Sequence, residues 1–495
     1  MSAGVSADRY REIAAPWLAA GAADGFDVHE SATGELLARF RADTAADVDA
    51  AVARARAAAD GWRRTPPRER GKIMKRIAQR LREAAVEVAE IESREVGKPM
   101  EISRDYDMVV CAESFEYFGS LAFDLHGEYF PGGPIDTFTT REPYGVVAGI
   151  IPFNWPPVHT AAKIAPAIAA GNVIIVKPPE QCPLTVLRLV QIIKSELPAD
   201  VVQSVAGLGP VVGSALAGHP GVDRISFTGS PNSGKAVLKT AAENLTGALL
   251  ELGGKNPLVV FPDADLDLAV RGAVEGTFFN QGEACTSASR VLVHVDVAEE
   301  FTRRYIEATS RLVVGDGLDP ATHIGPMITR AHQERVRGYI RIGLDDGATL
   351  AYQGPWPADP RLADGFFVPP VVFTGVTKDM RIAQEEIFGT VATVLTFSTT
   401  EEAIDIANST EFALVAGVFT RDDVLGRQVA REIDAGVVFV NNYNRMFLGT
   451  PFGGNGASGY GREHARSTLD EFTRIKSVRV VSGVAPVPEW SGVRV

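Results

Sequence analysis

Cysteine is scarce in this chain: Cys111, Cys182 and Cys285 are an odd number, spread far apart, which excludes a disulfide framework and fits a reducing compartment. Long apolar runs are missing too. The longest, residues 164–176, contains Pro166 and Asn172 and falls short of the ~20 residues that span a bilayer, so no membrane partner is expected. There is no basic block, and 49 basic against 62 acidic residues leave a net charge of −13, which excludes nucleic acid as a natural partner. The eight histidines form no HExxH pattern and join no CxxC pair, so no metal site is expected. At the N-terminus Arg9 and Arg11 precede the short apolar run 14–23, but Asp8, Glu12 and Pro16 spoil a secretory signal. The expected location is cytoplasmic.

What is present is an ordinary globular composition, 45% hydrophobic and 22% charged, long enough for about three domains. Residues 44–95 carry apolar positions at spacings of three and four, broken by Pro66 and Pro67, and read as two helices. From 144 to 261, short β-branched runs at 146–151, 173–176, 201–205 and 224–227 alternate with helical stretches such as 184–197. That alternation predicts βαβ units and a parallel sheet. A second alternation follows 251, with helices at 266–279, 297–312 and 400–408 and strands at 371–373, 391–397 and 436–441. The segments 128–143 and 474–481 fit neither series and read as exposed strands in need of a partner.

Several short motifs carry chemistry, each with a plain alternative. Gly229 to Lys235 follows a strand and opens a helix like a phosphate-binding loop, but Ala236 stands where a magnesium-binding hydroxyl belongs. What survives is a helix N-terminus able to hold a pyrophosphate, or a simple cap by Ser230. The segment 207–213 misses the dinucleotide glycine pattern by one residue and reads equally as a turn. Lys177-Pro178-Pro179-Glu180 places an acid at a strand's carboxyl end, where a doubly wound fold binds ribose hydroxyls, or where a surface ion pair would do. Cys285 lies in a stretch of small residues between a helix and a strand, either a reactive thiol or inert core.

Taken together these segments resemble the aldehyde dehydrogenase superfamily over nearly the whole chain. The resemblance rests on seven blocks in the family's order: Pro152-Phe153-Asn154-Trp155, Lys177 to Glu180, Phe227 to Ser230, Leu250 to Pro257, Gly282 to Cys285, Glu385 to Gly389, and Pro451 to Gly454. Two positions depart from the family pattern, Thr390 and Gly456, and bear on loop shape and subfamily rather than on the reaction.

The resemblance implies two doubly wound α/β domains, a Rossmann-like cofactor domain and a catalytic domain, with a small β flap. Residues 1–124 and 144–252 would bind NAD, 253–443 would carry the nucleophile, 444–473 would return to the cofactor domain, and 125–143 with 474–495 would be oligomerisation strands of a dimer or tetramer. It implies oxidation of an aldehyde to its acid, with Cys285 as nucleophile, Glu251 as base, Asn154 as oxyanion donor, and Lys163 with Glu463 as a proton relay or a surface ion pair. For the cofactor it implies Ile151, Lys177, Glu180, Gly229, Ser230, Leu252, Glu386 and Phe388, the last of which would otherwise be plain core. Trp155, His159, Phe279, Met446, Phe447 and Leu448 would line an apolar aldehyde tunnel suited to aromatic or medium-chain substrates, with Arg445 at its mouth as a possible carboxylate partner. The rival readings are a semialdehyde dehydrogenase, a CoA-acylating enzyme that would lack Glu251, and a non-catalytic protein on the same fold.

Overall fold

The computed structural model describes residues 5–21, 25–444 and 447–487, so part of the N-terminal apolar run, Arg445, Met446 and the end of the C-terminal tail lie outside the described residues. Two parallel sheets carry the chain. The first has six strands in the spatial order Gly459–Tyr460, Gly247–Glu251, Arg224–Thr228, Val146–Ile150, Val173–Lys177 and Val202–Ser204, parallel except at the first. The second has seven, Thr349–Gln353, Val371–Thr374, Val391–Phe397, Arg290–His294, Pro257–Val260, Val415–Phe419 and Val437–Val440, with only its outermost Thr349–Gln353 antiparallel.

The central strands are apolar along their length because helices cover both faces of a parallel sheet. Val146–Ile150, Val173–Lys177 and Val415–Phe419 are buried at every position. The strands and helices read from the sequence are present to within a few residues at their ends, with one difference. Residues 44–95 hold three helices, Ala45–Arg64, Pro67–Glu83 and Ala85–Val96, because Ala84 leaves helical geometry at φ −92°, ψ 1° and restarts the chain in a new direction. The unassigned segments find each other: Thr473–Val481 pairs antiparallel along all of Ile135–Pro143, which also pairs with Tyr129–Phe130. This three-stranded flap still exposes apolar side chains, among them Tyr129, Ile475 and Val481. Among the described residues no helix is long and apolar enough to cross a membrane.

One buried ionic cluster ties the helical layer to the interior. Helix Ala85–Val96 ends at Gly97, whose φ of 82° turns the chain so that Lys98 enters the core. Its ammonium meets Glu92 at 2.6 Å and the carboxylate of Asp107, while Ser103 donates to Glu92; all four residues are buried. Burial, and then the neighbouring Glu92, push Asp107 well above the usual carboxylate range. Removing the cation strands the carboxylates in a dry interior. Lys98→Met is therefore expected to cost about 3–5 kcal/mol, read as a lowered midpoint in chemical denaturation.

Candidate active site

The carboxyl ends of the first sheet's strands open onto a cleft of ≈ 730 Å³, within the size range of small-molecule sites. Ile151, Lys177, Gly229 and Leu252 follow or end those strands, and all four line it. Ser230 lines it as well and caps helix Pro231–Ala242, accepting from the Ser233 amide at 3.2 Å, so the cap and the cleft wall are one residue. Lys177 and Glu180 face the same cleft and pair with each other at 2.5 Å, with Lys177 buried and Glu180 partly exposed.

From the second sheet's side come Cys285, Glu386 and Phe388. Glu386 accepts from the Gly254 amide at 3.0 Å, and a Cβ at Gly253 would stand 2.3 Å from its carboxylate, so glycine is required for the carboxylate to sit there. Phe388 is half-buried at φ 62°, edge-on to Phe153 with ring centroids 5.7 Å apart, and belongs to the cleft wall rather than the core.

Cys285 is delivered by a strained turn. After helix Leu266–Phe278 the residues Asn280, Gln281 and Gly282 are left-handed in succession, at φ 53°, 56° and 70°. Hydrogen bonds hold the turn: the Asn280 amide donates to the Asn154 carbonyl at 2.9 Å and to the Glu283 carbonyl at 3.1 Å. The Asn256 amide donates to the Cys285 carbonyl at 2.8 Å. Asn154, 3% exposed, and the half-buried Cys285 thus share one wall of the cleft. Burial, then Glu251 and Glu386, push the thiol upward, while the backbone N–H groups of Cys285 and Thr286 pull the other way by bonding its thiolate.

Glu251 is 3% exposed and neither carboxylate oxygen has a hydrogen-bond partner in the protein. Burial, then the nearby Glu463, raise its pKa well above the usual carboxylate range. Glu463 accepts from the Lys163 ammonium at 3.1 Å, and Lys163 also donates to Thr228 at 2.8 Å. Both side chains are 0% exposed, which overturns the surface ion-pair alternative: this pair lies in the interior, beside Glu251.

The tunnel residues divide. Trp155, Phe279 and Tyr106 form an aromatic cluster with centroids 5.6–6.1 Å apart, and the Lys98 ammonium sits 4.1 Å from the Trp155 ring centre. His159 is buried one helical turn beyond Trp155. Phe447 is instead 69% exposed, next to Arg445 and Met446, which lie outside the described residues.

A profile of the aldehyde dehydrogenase family matches residues 17–478. The chain belongs to the aldehyde dehydrogenase family. It is similar to the aldehyde dehydrogenase citD of Monascus ruber, 48% identical over 96% of this chain and 95% of that one. It is 42% identical to a betaine aldehyde dehydrogenase of Mesorhizobium japonicum over 92% and 94% of the two chains. Among solved structures, PnpE in complex with nicotinamide adenine dinucleotide superposes with a TM-score of 0.91 at 39% identity, covering 94% and 96% of the chains. A Staphylococcus aureus betaine aldehyde dehydrogenase in complex with NAD+ gives 0.92 at 34% identity, covering 96% and 97%.

The two departures from the family pattern have local reasons. The Thr390 hydroxyl is buried and donates to the Val368 carbonyl at 3.0 Å, and Gly456 adopts a left-handed φ of 56°. Sequence reading gave no role to Glu283, although it lies inside the Gly282 to Cys285 block, and passed over His332, which lies in none of the blocks. Glu283 is 0% exposed, accepts from the Ile328 amide at 3.0 Å and lies 3.5 Å from the His332 ring, whose Nε2 bonds the Phe388 carbonyl at 2.6 Å. Burial lifts Glu283 to about 8 and lowers His332 to about 4, so both are neutral near pH 7. A carboxyl whose folded pKa is raised stabilises the fold below its unfolded value and loses that contribution as pH rises through the folded one. Wild type should therefore lose thermal stability between about pH 6.5 and about pH 9, above the range in which the lowered pKa of His332 acts in the opposite sense, and Glu283→Gln should flatten that loss when melting temperatures are compared across the range.

Proposed function

We propose that this protein oxidises an aldehyde to the carboxylic acid with NAD as acceptor, using Cys285 as nucleophile and Glu251 as base. The observation that carries the reading is that Cys285 and Asn154 line one strand-end cleft, while Glu251, buried with both carboxylate oxygens unpartnered, directly precedes the lining residue Leu252 and its charge acts on the Cys285 thiol. The Cys285 sulfur adds to the aldehyde carbon, and its proton leaves to Glu251 or to a water held there. The resulting oxyanion is received by the Asn154 side-chain amide and the Cys285 backbone N–H, a contribution of ~3 kcal/mol for a good donor. After oxidation a thioester remains on Cys285, and Glu251 takes a proton from the water that hydrolyses it. Lys163 and Glu463, paired beside Glu251, act as a relay through which that base exchanges its proton with solvent between the two halves of the reaction.

The cleft fits a dinucleotide by its chemistry. A helix N-terminus capped by Ser230 after Gly229 suits a pyrophosphate, Lys177 and Glu180 suit the adenosine ribose, and Glu386 suits the nicotinamide ribose, beside Ile151, Leu252 and Phe388. When bound, NAD supplies the hydride acceptor that the side chains lack. On this reading 1–124 and 144–252 form the cofactor domain, 253–443 the catalytic domain and 444–473 the return segment. The flap 125–143 with 474–487 joins copies of the chain through its exposed apolar strands, giving a dimer or tetramer; residues 488–495, assigned to the same role, lie outside the described residues. The location is cytoplasmic. By the resemblance Trp155 and Phe279 would line the aldehyde tunnel, and the aromatic cluster they form with Tyr106 favours aromatic or medium-chain aldehydes over charged ones.

The test is NADH formation from NAD and an aldehyde panel, with and without CoA, followed by identification of the product. Free acid without a requirement for CoA supports the hydrolytic reading; acyl-CoA as the sole product overturns it. Cys285→Ala should lower turnover at least a thousandfold while NAD still binds by fluorescence titration. Glu251 must be ionised to act, so kcat/KM should rise with pH above the ordinary carboxylate range. Glu463→Gln removes the like charge beside it and should move that rise to lower pH.

A further inference from the structure

Residues 386–388, on the wall of the cleft, belong to no helix or strand, so their carbonyls have no ladder to join and must be bonded from elsewhere. Phe388 is also left-handed, a conformation that a bulky residue keeps only where its surroundings impose it. Those surroundings are one face of helix Arg330–Asp345. His332 Nε2 meets the Phe388 carbonyl at 2.6 Å, and the Arg335 guanidinium donates to the Ile387 carbonyl at 2.7 Å and to the Glu386 carbonyl at 2.6 Å. The Tyr339 hydroxyl donates to the Glu385 carboxylate at 2.7 Å. Positions 332, 335 and 339 are three and four apart and share a face, so the helix takes residues 385–388 one after another. Val336, on the same side, closes the end of the segment: a Cβ on Gly389 would stand 2.7 Å from its side chain.

These contacts are not equivalent. Arg335 alone holds two adjacent carbonyls, one of them that of Glu386, and a planar guanidinium does so with N–H groups fixed relative to each other. Arg335 is otherwise exposed, so its contribution to the core is small, and it lines the same cleft as Glu386 and Phe388. The Glu386 carboxylate is anchored on its other side by the Gly254 amide at 3.0 Å. Building on the NAD-dependent reading, in which Glu386 meets the nicotinamide ribose, we propose that Arg335 is a positioning residue: by clamping the Glu386 and Ile387 carbonyls it sets the Glu386 carboxylate for the nicotinamide half of NAD, and it acts through that carboxylate rather than by touching the cofactor.

The experiment measures dissociation constants for NAD and for ADP, a probe of the adenosine half alone, by calorimetric titration of wild type, Arg335→Gln, Arg335→Lys, Glu386→Gln and the double variant Arg335→Gln/Glu386→Gln. Arg335→Gln should weaken NAD about tenfold and leave ADP within about threefold of wild type. NAD bound as in wild type, or equal losses for both ligands, would overturn the proposal. Arg335→Lys keeps the charge and loses the fork, so it should weaken NAD as well; wild-type affinity in that variant would mean that charge alone matters and would also overturn it. Once the Glu386 carboxylate is gone its placement has no further effect on NAD, so adding Arg335→Gln to Glu386→Gln should cost less than about threefold more. A larger additional loss would mark an independent contact with the cofactor and overturn the clamp. Should Arg335→Gln fail to fold, Arg335→Lys alone and combined with Glu386→Gln carries the same comparisons. Glu386→Gln that binds NAD as wild type does would overturn the placement of the nicotinamide ribose and the clamp with it, and a wild type that binds no NAD would overturn the dehydrogenase reading itself.

Discussion

The interior ion pair between Lys163 and Glu463, 3.1 Å apart and closed to solvent, is the constraint on which the rest of the site depends. Its partners are 300 residues apart in sequence, one on the helix packed against the first sheet, the other on the segment that returns from the second. Two charges taken out of water are tolerable only with good geometry and further hydrogen bonds, and Thr228 and Ser226 supply them to the ammonium. Because the pair fixes Glu463, it also fixes the field in which Glu251 sits. It further holds the returning loop, where a Cβ on Gly453 would stand 2.6 Å from the Glu251 carboxylate.

The second sheet answers with a different device. Two left-handed non-glycine residues in succession, Asn280 and Gln281, are costly, and they persist because Asn280 is fastened to the Asn154 carbonyl across the two sheets. One amide thus sets both the path into Cys285 and the placement of the residue proposed to receive the oxyanion. Strain at the turn leading to Cys285 and order at Asn154 are the same structural fact.

Much of this was legible in the sequence because it depends on local pattern. The apolar runs of Val146–Ile150 and Val173–Lys177, and the proline-bearing blocks at their ends, mark buried parallel strands with a cleft at their carboxyl ends. The ionic burial was not legible. Nothing in the spacing of Lys163 and Glu463 says that both lie in the interior, and the cluster of Lys98, Glu92 and Asp107 looks in sequence like an ordinary charged helix surface. Glu283 and His332 were invisible for a related reason: their meaning comes from a 3.5 Å approach between segments 49 residues apart. Phe447, an aromatic beside a motif, is largely in solvent, which its sequence context does not reveal.

The electrostatics of the pair Cys285 and Glu251 bear on the order of events. Burial is the largest force on each, and it favours the neutral form of both; Cys285 is raised further by Glu251 and Glu386, and Glu251 by Glu463. A resting site with two anions is thus disfavoured, and the first deprotonation makes the second harder. That coupling suits a base used twice in succession rather than two groups ionised together. When the thiolate is spent in forming a covalent bond to carbon, its charge disappears, and the penalty it imposed on Glu251 goes with it. The carboxylate is then easier to ionise at the stage where a water must be activated. On the proposed reading it is the loss of the thiolate charge, acting against the burial that still holds Glu251 toward its neutral form, that eases the second half of the reaction once the first is complete.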